Sequence, residues 1–331
     1  MAKAEVLAEV WRGGFLESLH LGHAVVVDRA GQIVAAWGDP GRIVLPRSSC
    51  KMLQALPLVE SGAADAAGLG TGQLALACAS HNGAAIHTER VARWLSMLGL
   101  TDADLRCGPQ LPNDPEAKKA LICAEDAPCQ WHNNCSGKHS GFLTLNRHLG
   151  GGAEYVEADH PVQRAVRAAF EEVTGEASPG FAIDGCSAPN FATSLTGLAR
   201  AMARFATATG EGGSRARAMV RLREAMALHP ELVAGEGRSC TRLMRAMEGR
   251  SMVKTGAEAV FVAILPEQGL GVALKVDDGA TRASEAAITA LLVRLGALDA
   301  DHPVAQHYLA APLINRAGIN CGEVRAAAAL T

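Results

Sequence analysis

The chain has 331 residues and a hydrophobic content of 49%, enough for one large core or two joined subdomains. Its 31 basic and 34 acidic residues leave a net charge of −3 with no block of one sign, so we expect neither nucleic acid nor a membrane as partner. No run of 18 apolar residues and no apolar signal-peptide core appears in the sequence. We therefore expect a cytoplasmic protein whose nine cysteines, an odd number, are reduced.

Apolar alternation predicts β-structure near the N-terminus, where His23-Ala-Val-Val-Val-Asp28 and Gln32-Ile-Val-Ala-Ala-Trp37 flank a short turn typical of a hairpin. An apolar run from Met52 to Val59 follows with helical pattern. The middle of the chain, about residues 85–240, alternates helices with polar loops. Helices are predicted there over 141–148, 161–174, 191–206 and 214–227. Strand pattern returns over 251–256, 259–265 and 271–276.

Strands at both ends of the chain enclose this helical block. The order predicts an α/β (α+β) fold in which one antiparallel sheet is built from both termini, with helices packed on it and a mainly helical lobe inserted. We expect a single catalytic unit over 1–331. Its sheet lobe would comprise approximately 1–60 and 241–331, and its helical lobe approximately 61–240.

A hydroxyl and an amine lie three residues apart at the start of the first predicted helix, as Ser48 and Lys51 in Arg47-Ser-Ser-Cys-Lys51. At helical spacing both lie on one face. A serine becomes nucleophilic when a neighbouring group takes its proton, and a neutral lysine can do so. The positive end of the helix dipole disfavours an ammonium in the first turn, which helps that lysine to lose its proton.

Two more short motifs follow, Ser80-His81-Asn82 after a predicted helix and Lys254-Thr255-Gly256 on a predicted strand. Serine β-lactamases and penicillin-binding proteins use Ser-x-x-Lys, Ser-x-Asn and Lys-Thr-Gly in this order. Two lysines in one site repel each other, so one can be neutral while the other stays charged. The three motifs together predict a serine hydrolase.

The longer strings around these motifs resemble the asparaginase II family, which is similar to the Rhizobium-type L-asparaginases. They are Arg47-Ser-Ser-Cys-Lys51, Ser80-His-Asn82, Cys135-Ser-Gly-Lys-His139, Asp184-Gly-Cys-Ser-Ala-Pro-Asn190 and Lys254-Thr-Gly-Ala-Glu258. The resemblance covers nearly the whole chain. It implies a fold like that of serine β-lactamases and penicillin-binding proteins, a homodimer, and hydrolysis of L-asparagine to L-aspartate and ammonia.

Carried over residue by residue, the resemblance makes Ser48 the nucleophile, Lys51 its base, and Ser80 with Lys254 a second Ser-Lys pair. His81 stands where β-lactamases have the acidic middle residue of Ser-Asp-Asn. An amide substrate is therefore favoured over a β-lactam.

A second cluster contains Cys135, Lys138, His139 and Cys186. Two thiolates suit zinc, and a spacing of three or four residues brings a third donor to the same side of a helical turn. Ligand chemistry alone favours His139, because neutral imidazole binds zinc without removing a proton from an amine. The family resemblance implies Lys138 instead. We expect about one zinc per chain held by Cys135, Lys138 and Cys186, with His139 as the alternative third ligand; otherwise the thiols are packed core residues.

Five polar residues beside these motifs are predicted to bind the substrate: Arg47, His81, Asn82, His139 and Asp184. Arg47 can hold a carboxylate through two hydrogen bonds, and Asp184 can bind an α-ammonium group or orient a metal ligand. We expect L-asparaginase activity through an acyl-enzyme. A glutaminase or another serine amidase or β-lactamase-like hydrolase is the alternative, because one methylene is worth only about 1–3 kcal/mol in a pocket. A non-catalytic zinc- or amino-acid-binding protein is the alternative from a different class.

Overall fold

The structure, a computed structural model, describes residues 3–331 and contains two compact units. The sheet unit comprises the chain up to Ser49, Thr193–Thr207 and the chain from Arg242 onward. The helical unit comprises Cys50–Ala192 and Ala208–Thr241. The first boundary thus lies at Ser49 rather than near residue 60, and the segment 193–207 belongs with the sheet rather than with the helical lobe.

The strands are β1 (Glu5–Arg12), β2 (Phe15–Val27), β3 (Ile33–Trp37), β4 (Ile43–Val44), β5 (Phe181–Ile183), β6 (Pro189–Phe191), β7 (Thr193–Ser194), β8 (Met252–Thr255), β9 (Val260–Leu265), β10 (Leu270–Val276), β11 (Ala310–Ile314) and β12 (Asn320–Ala326). The helices are α1 (Lys51–Gln54), α2 (Leu56–Glu60), α3 (Ala63–Ala66), α4 (Thr71–Ala77), α5 (Ala85–Met97), α6 (Pro115–Cys123), α7 (Ser136–Leu149), α8 (Pro161–Thr174), α9 (Leu195–Thr207), α10 (Ser214–Leu228), α11 (Pro230–Val233), α12 (Ser239–Ala246), α13 (Thr281–Arg294) and α14 (Pro303–Leu309). A 3₁₀ turn over Arg47–Cys50 leads directly into α1.

The main sheet of the sheet unit runs in the order β11-β12-β1-β2-β10-β9-β8, and β3 pairs with β2. Every pairing in it is antiparallel. Strands from both ends of the chain are neighbours, since β1 pairs with β12 and β2 with β10. The prediction of one antiparallel sheet built from both termini is confirmed, and so is the β2–β3 hairpin.

Helix α9 belongs to the sheet unit because it packs closely on β10 and β9. Gly271 in β10 makes this approach possible, since a Cβ atom there would lie 2.1 Å from the Ala199 carbonyl oxygen and from the Ala203 nitrogen. Helix α13 also packs against both strands. Strands β9 and β10 are therefore near-continuous runs of buried apolar residues.

The helical unit differs from the predicted pattern at two places that bear on function. The helix predicted over 52–59 is divided at Ala55, and Pro57, which has no N–H to donate, lies in the first turn of the second piece. Helix α7 begins at Ser136 rather than at residue 141. Gly137 lets α7 approach α4, since a Cβ atom there would lie 2.4 Å from the Leu76 carbonyl oxygen. Across residues 3–331, no helix is long and apolar enough to span a bilayer.

Candidate active site

Ser48 lies in the 3₁₀ turn that follows Pro46, in the sheet unit. Arg47 just before it has a left-handed backbone with a φ of 54°. That conformation costs a non-glycine residue about 1–3 kcal/mol and is concentrated at functional sites. The hydroxyl of the buried Ser49 donates to the Pro46 carbonyl at 2.7 Å. The Ser49 hydroxyl is therefore bonded within the turn. The half-buried Ser48 beside it carries the candidate nucleophile.

The end of β8 packs against this turn. Lys254 in β8 is fully buried, and its Nζ donates to the Thr255 carbonyl at 2.8 Å. A Cβ atom on Gly256 would lie 2.6 Å from the Pro46 carbonyl oxygen and 3.1 Å from the Ser49 amide nitrogen. Because glycine alone permits so close an approach, the sheet unit brings the first and the third motif together.

Lys51 is the first residue of α1 and is fully buried in the helical unit. Its Nζ donates to the Ala79 carbonyl, to the Asn134 carbonyl at 3.4 Å and to the Cys135 thiol at 3.0 Å. Fully buried lysines are rare unless the amine is paired. The helical unit therefore holds the Lys51 amine beside the residue that precedes Ser80 and beside the predicted metal cluster.

Both ring nitrogens of His81 form hydrogen bonds within the protein. The ring is buried, with one nitrogen bonded to the Gly83 amide at 3.2 Å and the other to the Ser136 hydroxyl at 2.9 Å. Both polar atoms of the ring are used in this way. The substrate-binding role of His81 stays a prediction.

The side chain of Asn82 also points into the protein interior. Its side chain is buried, and its amide donates to the Asp114 carboxylate and accepts from the Ala84 amide, both at 3.3 Å. A Cβ atom on Gly235 would lie within 2.6 Å of three atoms of this amide. Gly235 therefore packs closely against the Asn82 amide, and the substrate-binding role of Asn82 stays a prediction.

The side chains of Cys135, Lys138 and Cys186 converge in the helical unit. Cys135 immediately precedes α7, Lys138 lies in its first turn, and Cys186 lies in the turn between β5 and β6. The Nζ of Lys138 is 3.0 Å from the Sγ of Cys186. A hydrogen bond between the two thiols, together with burial, raises the pKa of Cys135. The same bond and the Lys138 ammonium lower the pKa of Cys186 against the effect of burial, so Cys186 is the thiolate of the pair.

Burial opposes an ammonium at Lys138, but the negative charge of the Cys186 thiolate outweighs it and raises the pKa of Lys138. Two sulfur donors and an amine form a donor set that zinc accepts, provided that the metal displaces the lysine proton. Within the described part of the chain, no three Cys, His, Asp or Glu side chains are grouped closely enough to hold a metal. Beside the two thiols, the Lys138 amine is the group that would supply a third donor.

His139 was the alternative third ligand. Its Nδ1 bonds the Tyr155 hydroxyl at 2.9 Å. Burial lowers the pKa of His139, so the ring is neutral. His139 lies beside the thiols without completing a three-ligand group with them, and its substrate-binding role stays a prediction.

Asp184 begins the tight turn that carries Cys186. The Ser187 amide donates to the Asp184 carbonyl at 2.9 Å, and the Gly185 amide donates to its carboxylate at 2.8 Å. Ser187 has a left-handed φ of 69°. The turn thus fixes the direction of the cysteine. Asp184 and Arg47 are both half-buried, and their substrate-binding roles stay predictions.

Two groups that form hydrogen bonds to these clusters belong to no motif in the sequence. One is the Asn134 carbonyl, which accepts hydrogen bonds from Lys51 and from the His81 amide. The other is the Tyr155 hydroxyl, whose partner His139 lies 16 residues away in the sequence. A backbone carbonyl is common to all residues, and an isolated tyrosine usually belongs to the core. Both could be found only from the tertiary structure.

Residues 8–326 match the model of a family of amidohydrolases, so the chain is an amidohydrolase. The family is L-asparaginase II, and the chain belongs to it, which confirms the membership predicted from the motifs.

Among solved structures, a β-lactamase from Mycobacterium bovis is similar at 14% identity and a TM-score of 0.46, over 83% of this chain and 94% of the other. A putative β-lactamase from Bacteroides dorei is similar at 12% identity and a TM-score of 0.42, over 77% of this chain and 84% of the other. Similarities of this size carry no inference about substrate. No curated protein sequence matched the chain.

Proposed function

We propose that the protein is an L-asparaginase that hydrolyses L-asparagine to L-aspartate and ammonia through an acyl-enzyme at Ser48. Membership of the L-asparaginase II family supports this substrate. The observation that carries the proposed chemistry is that Lys51 and Lys254, the lysines of two motifs, are both fully buried. Backbone carbonyls hold both amines, those of Ala79 and Asn134 for Lys51 and that of Thr255 for Lys254, which fixes each amine in position for proton transfer. Lysines that serve only as surface charges stay in water.

In the proposed reaction, Ser48 attacks the side-chain amide carbon, and Lys51, three residues later in the chain, takes the hydroxyl proton. The carbonyls of Ala79 and Asn134 and the thiol of Cys135 hold this amine in place for the transfer. Backbone N–H groups stabilise the tetrahedral oxyanion. Ammonia leaves with a proton delivered through Lys51 or Ser80, and water releases aspartate by the reverse path.

Ser80 and Lys254 form the second Ser-Lys pair of the proposal. When two lysines serve one reaction, their like charges favour loss of a proton from one of them. Ser80 passes a proton between the two amines. The substrate α-carboxylate is assigned to Arg47, whose guanidinium can bind it bidentately, and the α-ammonium group to Asp184.

Zinc is proposed at Cys135, Lys138 and Cys186, and the protein is proposed to act as a homodimer, as its family implies. Bound zinc would supply a positive Lewis-acidic centre that orients the α-amino and carboxylate groups of the substrate. The two thiols and the amine hold that position through α7 and the β5–β6 turn. Sedimentation of the purified protein tests the dimer, and a species with the mass of one chain would contradict it.

Ammonia release from L-asparagine by the purified protein tests the proposed function, with L-glutamine as the competing substrate. Ser48→Ala should lower kcat by about 10⁴-fold or more, since loss of a nucleophile removes the covalent path. Ser49→Ala is the matched control, because it loses only the bond to the Pro46 carbonyl. That bond is worth about 1 kcal/mol of stability. Equal losses in the two variants, or no ammonia from either amide, would contradict the proposal.

A further inference from the structure

His81, the residue after Ser80, has a ring that is only 1% exposed. The amide of Gly83 donates to Nδ1 at 3.2 Å, so the ring proton lies on Nε2, which donates to the Ser136 hydroxyl at 2.9 Å. Burial lowers the pKa of His81 well below its usual range, which keeps the ring in this neutral form. The parallel ring of His87 stacks on it with a centroid distance of 4.7 Å. The position and the tautomer of the ring are thus both determined by the protein.

The same two segments that His81 joins also hold the amine of Lys51. Two of the acceptors of that amine are backbone carbonyls, those of Ala79 and Asn134. The backbone N–H of His81 donates to the Asn134 carbonyl at 3.2 Å, and its ring bonds Ser136 two residues further on. Two hydrogen bonds from one residue therefore connect residues 79–82 to residues 134–136.

We propose that His81 is a positioning residue for Lys51 and Ser80. Its ring clamps residues 79–82 to residues 134–136 and so sets the distance between the two carbonyls that hold the Lys51 amine. The inference rests on the proposed function, in which both of these groups move protons. A catalytic group displaced by about 1 Å can lose about 100-fold in rate. His81 touches no reacting atom in this role, so substrate affinity should change little.

Two replacements of His81 distinguish the effect of its hydrogen bond to Ser136 from the effect of burying a side chain at this position. His81→Asn keeps an acceptor for the Gly83 amide but is too short to reach Ser136, whereas the longer amide of His81→Gln can donate to that hydroxyl. We expect kcat for L-asparagine to fall about 100-fold in His81→Asn. KM should stay within about threefold, because the change acts on the reaction and not on binding. His81→Gln should recover at least about tenfold of the lost rate.

His87→Asn is the matched control, since His87 is equally buried and stacks on His81 but bonds the Glu231 carbonyl instead. It should lose a similar amount of thermal stability and keep kcat within about threefold. Equal kcat losses in His87→Asn and His81→Asn would overturn the positioning role. So would a loss in His81→Asn that appears in KM alone.

Ser136→Ala removes the hydroxyl to which the His81 ring donates, and it tests the same positioning role if a His81 variant does not fold. It should lower kcat to a similar extent with the metal content of the wild type, and the double variant with His81→Asn should lose little more. Additive losses would overturn the inference. An inactive wild type, or a fully active Ser80→Ala variant, would overturn the proposed function and this inference with it. An active wild type, an inactive Ser80→Ala and an unimpaired His81→Asn would overturn the inference alone.

Discussion

Replacement of Gly256 by alanine tests whether the end of β8 aligns the turn that carries Ser48. Gly256 has a φ of −116° and a ψ of 166°, which any residue adopts, so the variant acts only through its added methyl group. That Cβ atom would lie 2.6 Å from the Pro46 carbonyl oxygen, whereas ordinary contacts begin near 3.4 Å. The strand or the turn must therefore move by about 0.8 Å, the difference between these two distances.

A displacement of this size at the nucleophile is large for catalysis. Misplacement by about 1 Å costs about 100-fold in rate, which corresponds to about 2.7 kcal/mol in activation free energy. The extra methyl group also overpacks the contact, which lowers the free energy of unfolding by about 1–3 kcal/mol. We therefore expect kcat of Gly256→Ala to fall by about 30- to 100-fold while the protein remains folded.

Ammonia release at saturating L-asparagine measures kcat, and thermal unfolding measures the stability of the same preparation. Gly41→Ala is the matched control within the sheet unit, because its nearest new contact would be a flexible Asp39 carboxylate oxygen at 3.4 Å. It should keep kcat within about twofold of the wild type. A Gly256→Ala enzyme with the wild-type kcat would refute the reasoning, since the contact would then not align Ser48.

Arg47→Gly should be more stable than Arg47→Ala by about 1 kcal/mol, because glycine adopts the left-handed φ of 54° without strain; equal melting temperatures would argue against that backbone. Burial lowers the pKa of both His81 and His87, so below about pH 6.5 the unfolded chain binds protons that the folded chain does not. Stability measured by urea unfolding should therefore fall as the pH drops below about 6.5, by at most about 1.4 kcal/mol per pH unit for each histidine; a flat profile would contradict their neutral burial. Elemental analysis should find about one zinc per chain, and Cys135→Ala should lose it. In that variant the KM for L-asparagine should rise more than kcat falls. A protein that binds L-asparagine equally well with zinc and with chelator would exclude the metal role.

Local patterns in the sequence were sufficient for much of the fold. The β2–β3 hairpin and helix α8 lie where apolar periodicity and turn residues predict them. The formation of one sheet from both termini was also predicted, because strands lie at both ends of the chain with a helical block between them. The motifs around Ser48 and Lys254 indicated the family, because each is a short string of residues that the chemistry requires and that can be recognised in the sequence alone.

The prediction failed where packing overrides pattern. Residues 193–207 look like one more helix of the helical lobe, yet Gly271 lets α9 lie directly on β10. The polar run before residue 141 looks like a loop, yet α7 begins at Ser136, with Gly137 against the backbone of α4. In both cases a close backbone approach between distant segments decides the outcome, and no local window of sequence contains both partners.

The sequence by itself determined which residue types could perform the chemistry, and the tertiary structure decided which of their polar atoms are already in use. The spacing to Lys51 selects Ser48 over Ser49, and only the structure shows that the Ser49 hydroxyl is bonded to the Pro46 carbonyl. His81 reads as a polar residue beside a catalytic serine, but its ring is committed to a hydroxyl 55 residues away. The physical reason is that a buried polar atom must find a hydrogen-bond partner, and that partner is chosen by the fold rather than by neighbours in the chain.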